Sequence, residues 1–302
     1  MYANSTPSLR EPATFSIVAT RITLESSTLR GRGSEQSVQQ MITYLKTIVI
    51  NGRQWFRNRG HLRILIAGAP KTGNMWLRML LWNMYDLRQV DVSGILRLEE
   101  YPRQGSFVTH QHLLPSPQLF AWGDALGVHY VTMLRHPGDI LLSLYHYVNN
   151  MAQVWKEQGR RMGEAPSHSL IGQPLDSKGV RDYVSDHFGD ECLQKSVAWI
   201  RSNRAAIVRY EDLHQAPEDT LFRLAKALQP VSRGRIHAAI EACSIGKLQA
   251  MAGKQMRAHY RKGRTGDWQA ELPESITDLL QERYTDELRS MGYDFERIGC
   301  RT

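Results

Sequence analysis

Between Ile64 and Leu81 the hydrophobic pattern changes its period. Ile64-Leu65-Ile66-Ala67 is an unbroken apolar run, the mark of a parallel strand buried on both faces. Gly68-Ala69-Pro70-Lys71-Thr72-Gly73 is a turn punctuated by glycine and proline. Trp76, Leu77, Leu80 and Leu81 then recur at helical spacing, which predicts a helix over 74–86. The change recurs downstream. A short strand is expected over 106–109, running into His110-Gln111-His112, and a short helix over 115–121. His129-Tyr130-Val131-Thr132-Met133-Leu134 is a stronger strand, and Pro137 suits the first position of a helix that turns Ile140, Leu141, Leu144 and Val148 inward. Ala206-Ile207-Val208-Arg209 is the next strand. Helices are predicted over 178–187, 190–202, 211–228, 232–242, 244–251 and 273–290. Segments 87–105 and 253–267 read as irregular. The polar stretch 151–177 reads as a mobile loop over a site.

Strands alternating with helices define an α/β class: one parallel sheet in a single domain, flanked by helices on both faces. Ligands of such sheets sit at the carboxyl ends of the strands. The domain is expected over 61–302. Residues 1–35, rich in Ser, Thr, Arg and Gly without a period, read as a poorly ordered extension, with translation from Met41 as an alternative. Residues 36–60 read as an amphipathic helical lead-in with Met41, Leu45, Ile48 and Val49 on one face. That face either packs on its own domain or makes a peripheral membrane contact through 38–59.

Composition narrows the partners. The 302 residues carry 38 Lys+Arg against 30 Asp+Glu, a formal charge of +8. This surplus fits an anionic ligand, a nucleic acid or an acidic surface, or is merely solvated. Cys192, Cys243 and Cys300 lie far apart, which argues against a disulfide scaffold or zinc site and fits a reducing compartment. No apolar run approaches the roughly 20 residues of a membrane span, and no secretory signal is visible, so the default compartment is cytoplasmic.

The strand, glycine turn and helix at 64–81 form an anion cradle, because free backbone N–H groups and the helix dipole point at whatever sits over the turn. Gly68 and Gly73 have the spacing of a Walker A loop, but Asn74-Met75 replaces its Lys-Ser/Thr pair. Met75 has no hydroxyl for a magnesium ion, and the lysine sits inside the loop at Lys71. Such a cradle suits an anhydride that needs no metal; an ordinary turn with a surface lysine is the simpler alternative. Three further segments bear groups for a nucleotide. Arg135 ends a strand with Ser143 two turns into the next helix, a fork and a hydroxyl for a phosphate, unless Arg135 pairs with Asp139. Tyr210 ends another strand and offers a ring and a hydroxyl to a base, or simply packs. Arg261-Lys262-Gly263 sets two cations before a glycine that permits close backbone approach; alone it reads as a solvated loop.

Together these segments resemble the soluble sulfotransferases that use 3′-phosphoadenosine 5′-phosphosulfate (PAPS). Pro70-Lys71-Thr72-Gly73-Asn74-Met75-Trp76 is similar to their Pro-Lys-Ser-Gly-Asn/Thr-Thr-Trp loop. Arg135-His136-Pro137-Gly138-Asp139 with Ser143 resembles their Arg-x-Pro-x-Asp…Ser motif, Tyr210-Glu211-Asp212 their Tyr-Glu-Asp strand end, and Arg261-Lys262-Gly263-Arg264-Thr265-Gly266-Asp267-Trp268 their Arg-Lys-Gly-x-x-Gly-Asp-Trp loop. The four occur in family order across about 64–295. The resemblance implies that Lys71 neutralises the oxygen bridging sulfur and phosphorus. It implies that the backbone of Thr72, Gly73 and Asn74 holds the 5′-phosphate, and that Trp76 and Tyr210 contact the adenine. Arg135, Ser143, Arg261, Lys262 and Gly263 are implied at the 3′-phosphate, and Ser244 near the base. Met75 replaces a threonine that usually helps hold the 5′-phosphate.

Proton removal from the acceptor suits a histidine. Val108-Thr109-His110 resembles the family's Lys-Thr-His segment, which favours His110; His112, two residues on, shares its face if the strand continues. The expected activity is sulfuryl transfer from PAPS to the hydroxyl or amine of a small-molecule, glycan or lipid acceptor. It needs no metal and involves no nucleic acid. The alternatives are a P-loop nucleotide kinase or ATPase and a non-catalytic nucleotide-binding relative. The acceptor and the oligomeric state are not legible.

Overall fold

A computed structural model describes residues 60–91, 98–159, 163–251 and 263–295. The expected extension at 1–35 and the lead-in at 36–60 lie outside the described residues, apart from Gly60. Strands β1 (Arg63–Ala67), β2 (Arg88–Gln89), β3 (Phe107–Gln111), β4 (Val128–Leu134) and β5 (Ala205–Arg209) form one sheet in the order β2-β3-β1-β4-β5. Every pairing is parallel. Ala67 pairs with Gln111, Ile66 with Val131, and Leu134 with Arg209. This register brings the ends of four strands to one edge, so residues 68–73, 112, 135–136 and 210 emerge side by side.

Period-two alternation splits β1 between two cores. Ile64 and Ile66 pack with Leu77, Leu80 and Leu81 of α1 (Asn74–Tyr85) and with residues of α7 (Pro217–Leu228) and α8 (Arg233–Ala242). Leu65 and Ala67 pack on the opposite face with Leu119 of α2 (Pro117–Leu126) and Trp199 of α5 (Gln194–Ser202). Helices therefore cover both faces. A third cluster joins α3 (Pro137–Glu157), α4 (Lys178–Asp186), α11 (Glu274–Arg283) and α12 (Thr285–Met291). Between these elements lie α6 (Tyr210–Gln215), α9 (Ile245–Met251) and α10 (Trp268–Glu271).

Some boundaries differ from the sequence reading. The stretch 151–177 is not a featureless loop. Helix α3 continues through it to Glu157, because Met151 and Trp155 extend the buried stripe of Leu144 and Val148 at spacings of four and three. A 3-10 turn, Pro166–Leu170, follows with Ser167 and Leu170 buried. The helix expected over 211–228 breaks at Ala216, whose conformation is set by Pro217 at the start of α7. The final helix is two, parted at Tyr284, whose hydroxyl donates to the Val184 carbonyl and accepts from the Gly189 amide. Segment 87–105 contains β2 and a 3-10 turn, Leu98–Glu100; the strand expected over 106–109 runs on to Gln111. The polar pattern hid that extension, because His110 and Gln111 are polar residues at the carboxyl end of the strand, where His110 lines the cavity.

Candidate active site

The turn after β1 is stapled from within. The Thr72 hydroxyl donates to the Ala69 carbonyl at 3.1 Å, and the Asn74 amide donates to the same carbonyl at 2.8 Å. Both side chains are thereby occupied and buried. Gly73 caps α1 at φ 102 without a side-chain partner, and the first turn of α1 holds no acidic residue. The amides of this N-terminus and the positive end of its dipole therefore face the cavity with no internal anion. Gly73 admits no side chain: a Cβ there would lie 2.6 Å from the Tyr210 ring. Lys71 adopts φ 63, a left-handed conformation that costs a non-glycine residue about 1–2 kcal/mol. Its ammonium lies over the Tyr147 ring, 3.9 Å from the centroid.

Arg135, just past β4, ties the loop of Lys71 to the loop of Gly263 and Arg264. It donates from Nη1 to the Lys71 carbonyl at 3.2 Å and from Nη2 to the Arg264 carbonyl at 3.0 Å. Its guanidinium stacks over Tyr210, 4.2 Å from the centroid, and its buried Nε has no partner among the described residues. Asp139, in the first turn of α3, latches the second loop: its Oδ2 accepts from the Gly266 amide at 2.7 Å and its Oδ1 from the Trp268 amide at 3.2 Å. The Trp268 indole lies flat on His136, with ring centroids 4.4 Å apart. Gly263 stands at φ 62, where a Cβ would also press on Ile245 at 3.0 Å. Trp76 is fixed by its indole N–H to the Cys243 carbonyl at 3.2 Å and meets Tyr210 edge-on at 5.6 Å.

Lys71, Gly73, Trp76, Arg135, Tyr147, Tyr210 and Gly263 line one cavity of about 570 Å³. Of the residues singled out by sequence, Lys71, Gly73, Asn74, Met75, Trp76, His110, Arg135, Ser143, Tyr210, Ser244 and Gly263 reach it. Thr72 does not, because its side chain is buried in the staple. Arg261 and Lys262 lie outside the described residues. As expected of 151–177, Trp155, Ser167 and His168 line the cavity, while the sequence reading missed Tyr147 and Glu191 beside them. Tyr147 had a signal, since it stands one helical turn beyond Ser143. Glu191 had none: a π-helical turn, Gly189–Leu193, carries it to the cavity. There its carboxylate accepts from the Ser167 amide and hydroxyl and from the Tyr183 hydroxyl, at 3.2, 2.7 and 2.9 Å.

At the end of β3, His112 opens onto the cavity with its Nδ1 3.1 Å from the Gly68 carbonyl. Desolvation by the surrounding protein pulls its pKa below the ordinary histidine value; Lys195 and Lys71 act in the same direction and the bond to Gly68 opposes them. Burial pushes the Tyr210 hydroxyl pKa up, keeping it neutral. Among the described residues no cluster of metal-ligating side chains occurs, and no helix is long and apolar enough to cross a membrane.

An uncapped helix N-terminus, an inside lysine and a second glycine loop on one parallel sheet define a P-loop-like nucleotide-binding protein. The sulfotransferase domain model matches residues 62–292, and the chain belongs to that family. Cytosolic sulfotransferase 13 of Arabidopsis thaliana is 24% identical over 275 residues, covering 78% of this chain and 79% of the relative. A flavonol sulfotransferase-like protein of Flaveria bidentis is 23% identical, covering 73% and 81%. The fold resembles that of mouse sulfotransferase SULT7A1, solved with PAP (TM-score 0.56, 15% identity, 76% of this chain and 85% of that one). It also resembles retinol dehydratase solved with androsterone and PAP (TM-score 0.52, 15% identity, 78% and 82%).

Proposed function

We propose that this sulfotransferase moves the sulfuryl group of PAPS to the hydroxyl or amine of a small-molecule acceptor by in-line displacement. The observation that carries the reading is the convergence on one cavity of the uncapped α1 N-terminus, Lys71 inside its loop, and Arg135 bridging to the loop of Gly263. The backbone amides of Thr72, Gly73 and Asn74 hold the 5′-phosphate, and Lys71 neutralises the charge that develops on the bridging oxygen. Arg135, Ser143 and Gly263, with Arg261 and Lys262, hold the 3′-phosphate, while Trp76, Tyr210 and Ser244 flank the adenine. Catalysis is then positioning plus charge neutralisation, as in phosphoryl transfer. No metal is assigned a role. The domain is assigned to 61–302, and the family match covers 62–292 of it.

The acceptor lies against Tyr147, Trp155 and His168, aromatic residues that line the same cavity. The names of the relatives support a small-molecule acceptor and a cytosolic setting. A kinase or ATPase reading is disfavoured by Met75, which offers magnesium no oxygen.

Calorimetric titration of 3′-phosphoadenosine 5′-phosphate (PAP) without magnesium, against ATP and AMP, tests the donor site. Tight binding that requires the 3′-phosphate and weakens in Arg135→Ala is expected. Binding of ATP alone, and only with magnesium, would overturn the reading.

A further inference from the structure

We propose that Arg78 divides the work of the two cavity histidines: it fixes His110 as a hydrogen-bond donor to the reacting sulfuryl group and leaves proton removal to His112. The inference rests on the sulfuryl-transfer reading above, but its structural half is measurable without turnover.

Arg78 lies on α1 and is only 3% exposed. Its Nη1 is 3.2 Å from His110 Nδ1 and 2.5 Å from Asp91 Oδ1. A guanidinium donates and never accepts, so His110 Nδ1 is the acceptor and neutral His110 carries its proton on Nε2. A carbonyl accepts and never donates, so His112 Nδ1, facing the Gly68 carbonyl, carries the proton and Nε2 holds the lone pair. The rings stand edge to face at 6.0 Å, and both line the cavity. Two histidines two residues apart thus hold opposite tautomers. For His110 to gain a proton at Nδ1, it would have to surrender the Arg78 bond and set two cations side by side. His112 gains its proton at Nε2 with the Gly68 bond intact.

The step balances without any further reactant. His112 Nε2 takes the proton of the acceptor O–H while the acceptor oxygen bonds sulfur. The bond from sulfur to the bridging oxygen breaks, and its electron pair leaves with PAP beside Lys71. His110 donates from Nε2 to a sulfuryl oxygen as charge develops. Arg78 touches no reacting atom and is a positioning residue. Its buried Nε has no partner among the described residues, so it is not placed there by a complete set of structural bonds. The charged groups bearing on the pair are Lys71 and Lys195 on the His112 side, and Arg78 with the exposed Asp91 on the His110 side.

Long-range proton–nitrogen NMR of the histidine-labelled, donor-free protein at pH 7.5 reads the tautomers directly. The Nε2–H form at His110 and the Nδ1–H form at His112 are expected; the reverse pair overturns the proposal whatever the activity. In the pH profile of kcat/KM, His112→Gln is expected to abolish the acidic limb and lower turnover by about 10²-fold or more. His110→Gln, which keeps an N–H near the Nε2 position, retains the limb and at least about a tenth of the turnover, whereas His110→Ala falls further. The proposal fails if His110→Gln loses the limb while His112→Gln keeps it, or if no acceptor is turned over by a protein that binds PAP. Arg78→Lys should mix the His110 tautomers and lower kcat with donor KM unchanged. If that variant does not fold, the exposed Asp91→Asn loosens the same anchor and should move the His110 signals, and unmoved signals count against Arg78.

Discussion

Asp139 offers a direct test of how the loop of Gly263 to Trp268 is held. Its carboxylate is 2% exposed and takes two backbone amides, Gly266 at 2.7 Å and Trp268 at 3.2 Å. A hydrogen bond to a charged group contributes about 1.5–3 kcal/mol. Two at the lower figure give about 3 kcal/mol, and the carboxylate in the first turn of α3 adds about 0.5 kcal/mol against the helix dipole. Asp139→Ala strands both amides, so we expect a loss of about 3–4 kcal/mol in urea unfolding. Asp139→Asn keeps one acceptor but turns an N–H donor toward an amide, for a loss of about 2 kcal/mol. The freed loop carries Gly263, so PAP affinity should fall by about tenfold or more in the folded fraction of either variant. Lys262→Ala serves as the contrast, with PAP affinity lowered and stability unchanged. An Asp139→Ala protein within about 1 kcal/mol of the parent, binding PAP normally, would refute the latch.

Three further outcomes follow from the geometry. Met75→Thr restores a hydroxyl at the cavity and should tighten PAP by about fivefold in calorimetry, the equivalent of about 1 kcal/mol for one hydrogen bond; equal affinity would mean the hydroxyl has no place in the cradle. Gly263→Ala combines a left-handed backbone with a contact of 3.0 Å to Ile245, and should weaken PAP by about tenfold. A shortened partner in Gly263→Ala/Ile245→Ala should recover only the contact component. His112, His129 and His136 all have pKa values lowered by burial. The unfolded chain therefore takes up their protons first. Stability is full above about pH 6.5, the ordinary histidine value, and declines as pH falls through it toward the lowered folded values. Urea midpoints at pH 8 and pH 5.5 check this, and a higher midpoint at pH 5.5 would reverse the sign.

The parallel sheet, the first cradle and most of the residues that meet at the cavity were legible because each is written locally. An apolar run followed by glycines and a helical stripe specifies strand, turn and helix within about 20 residues. Side-chain duties inside that cradle were less legible. The resemblance assigned Thr72 and Asn74 only through their backbone, and gave no sign that both side chains donate to the Ala69 carbonyl and staple the turn. The stretch 151–177 does border the cavity as expected, but its start was misread as loop because its charged residues masked Met151 and Trp155, which belong to the buried face of α3.

The sequence by itself determined that the chain is α/β, that a glycine turn with an inside lysine joins the first strand to a helix, and that the chain resembles a family using PAPS. Only the tertiary structure decided how the other groups of the cavity meet that cradle. Glu191 reaches the cavity through a π-turn, and Trp155 and His168 meet with ring centroids 4.9 Å apart although thirteen positions separate them. Arg78 and His110, on different elements, come within 3.2 Å because α1 packs over the end of β3. Tautomers, latches and cavity walls depend on which donor meets which acceptor across the fold. That pairing is a property of distance in space, which local periodicity does not encode.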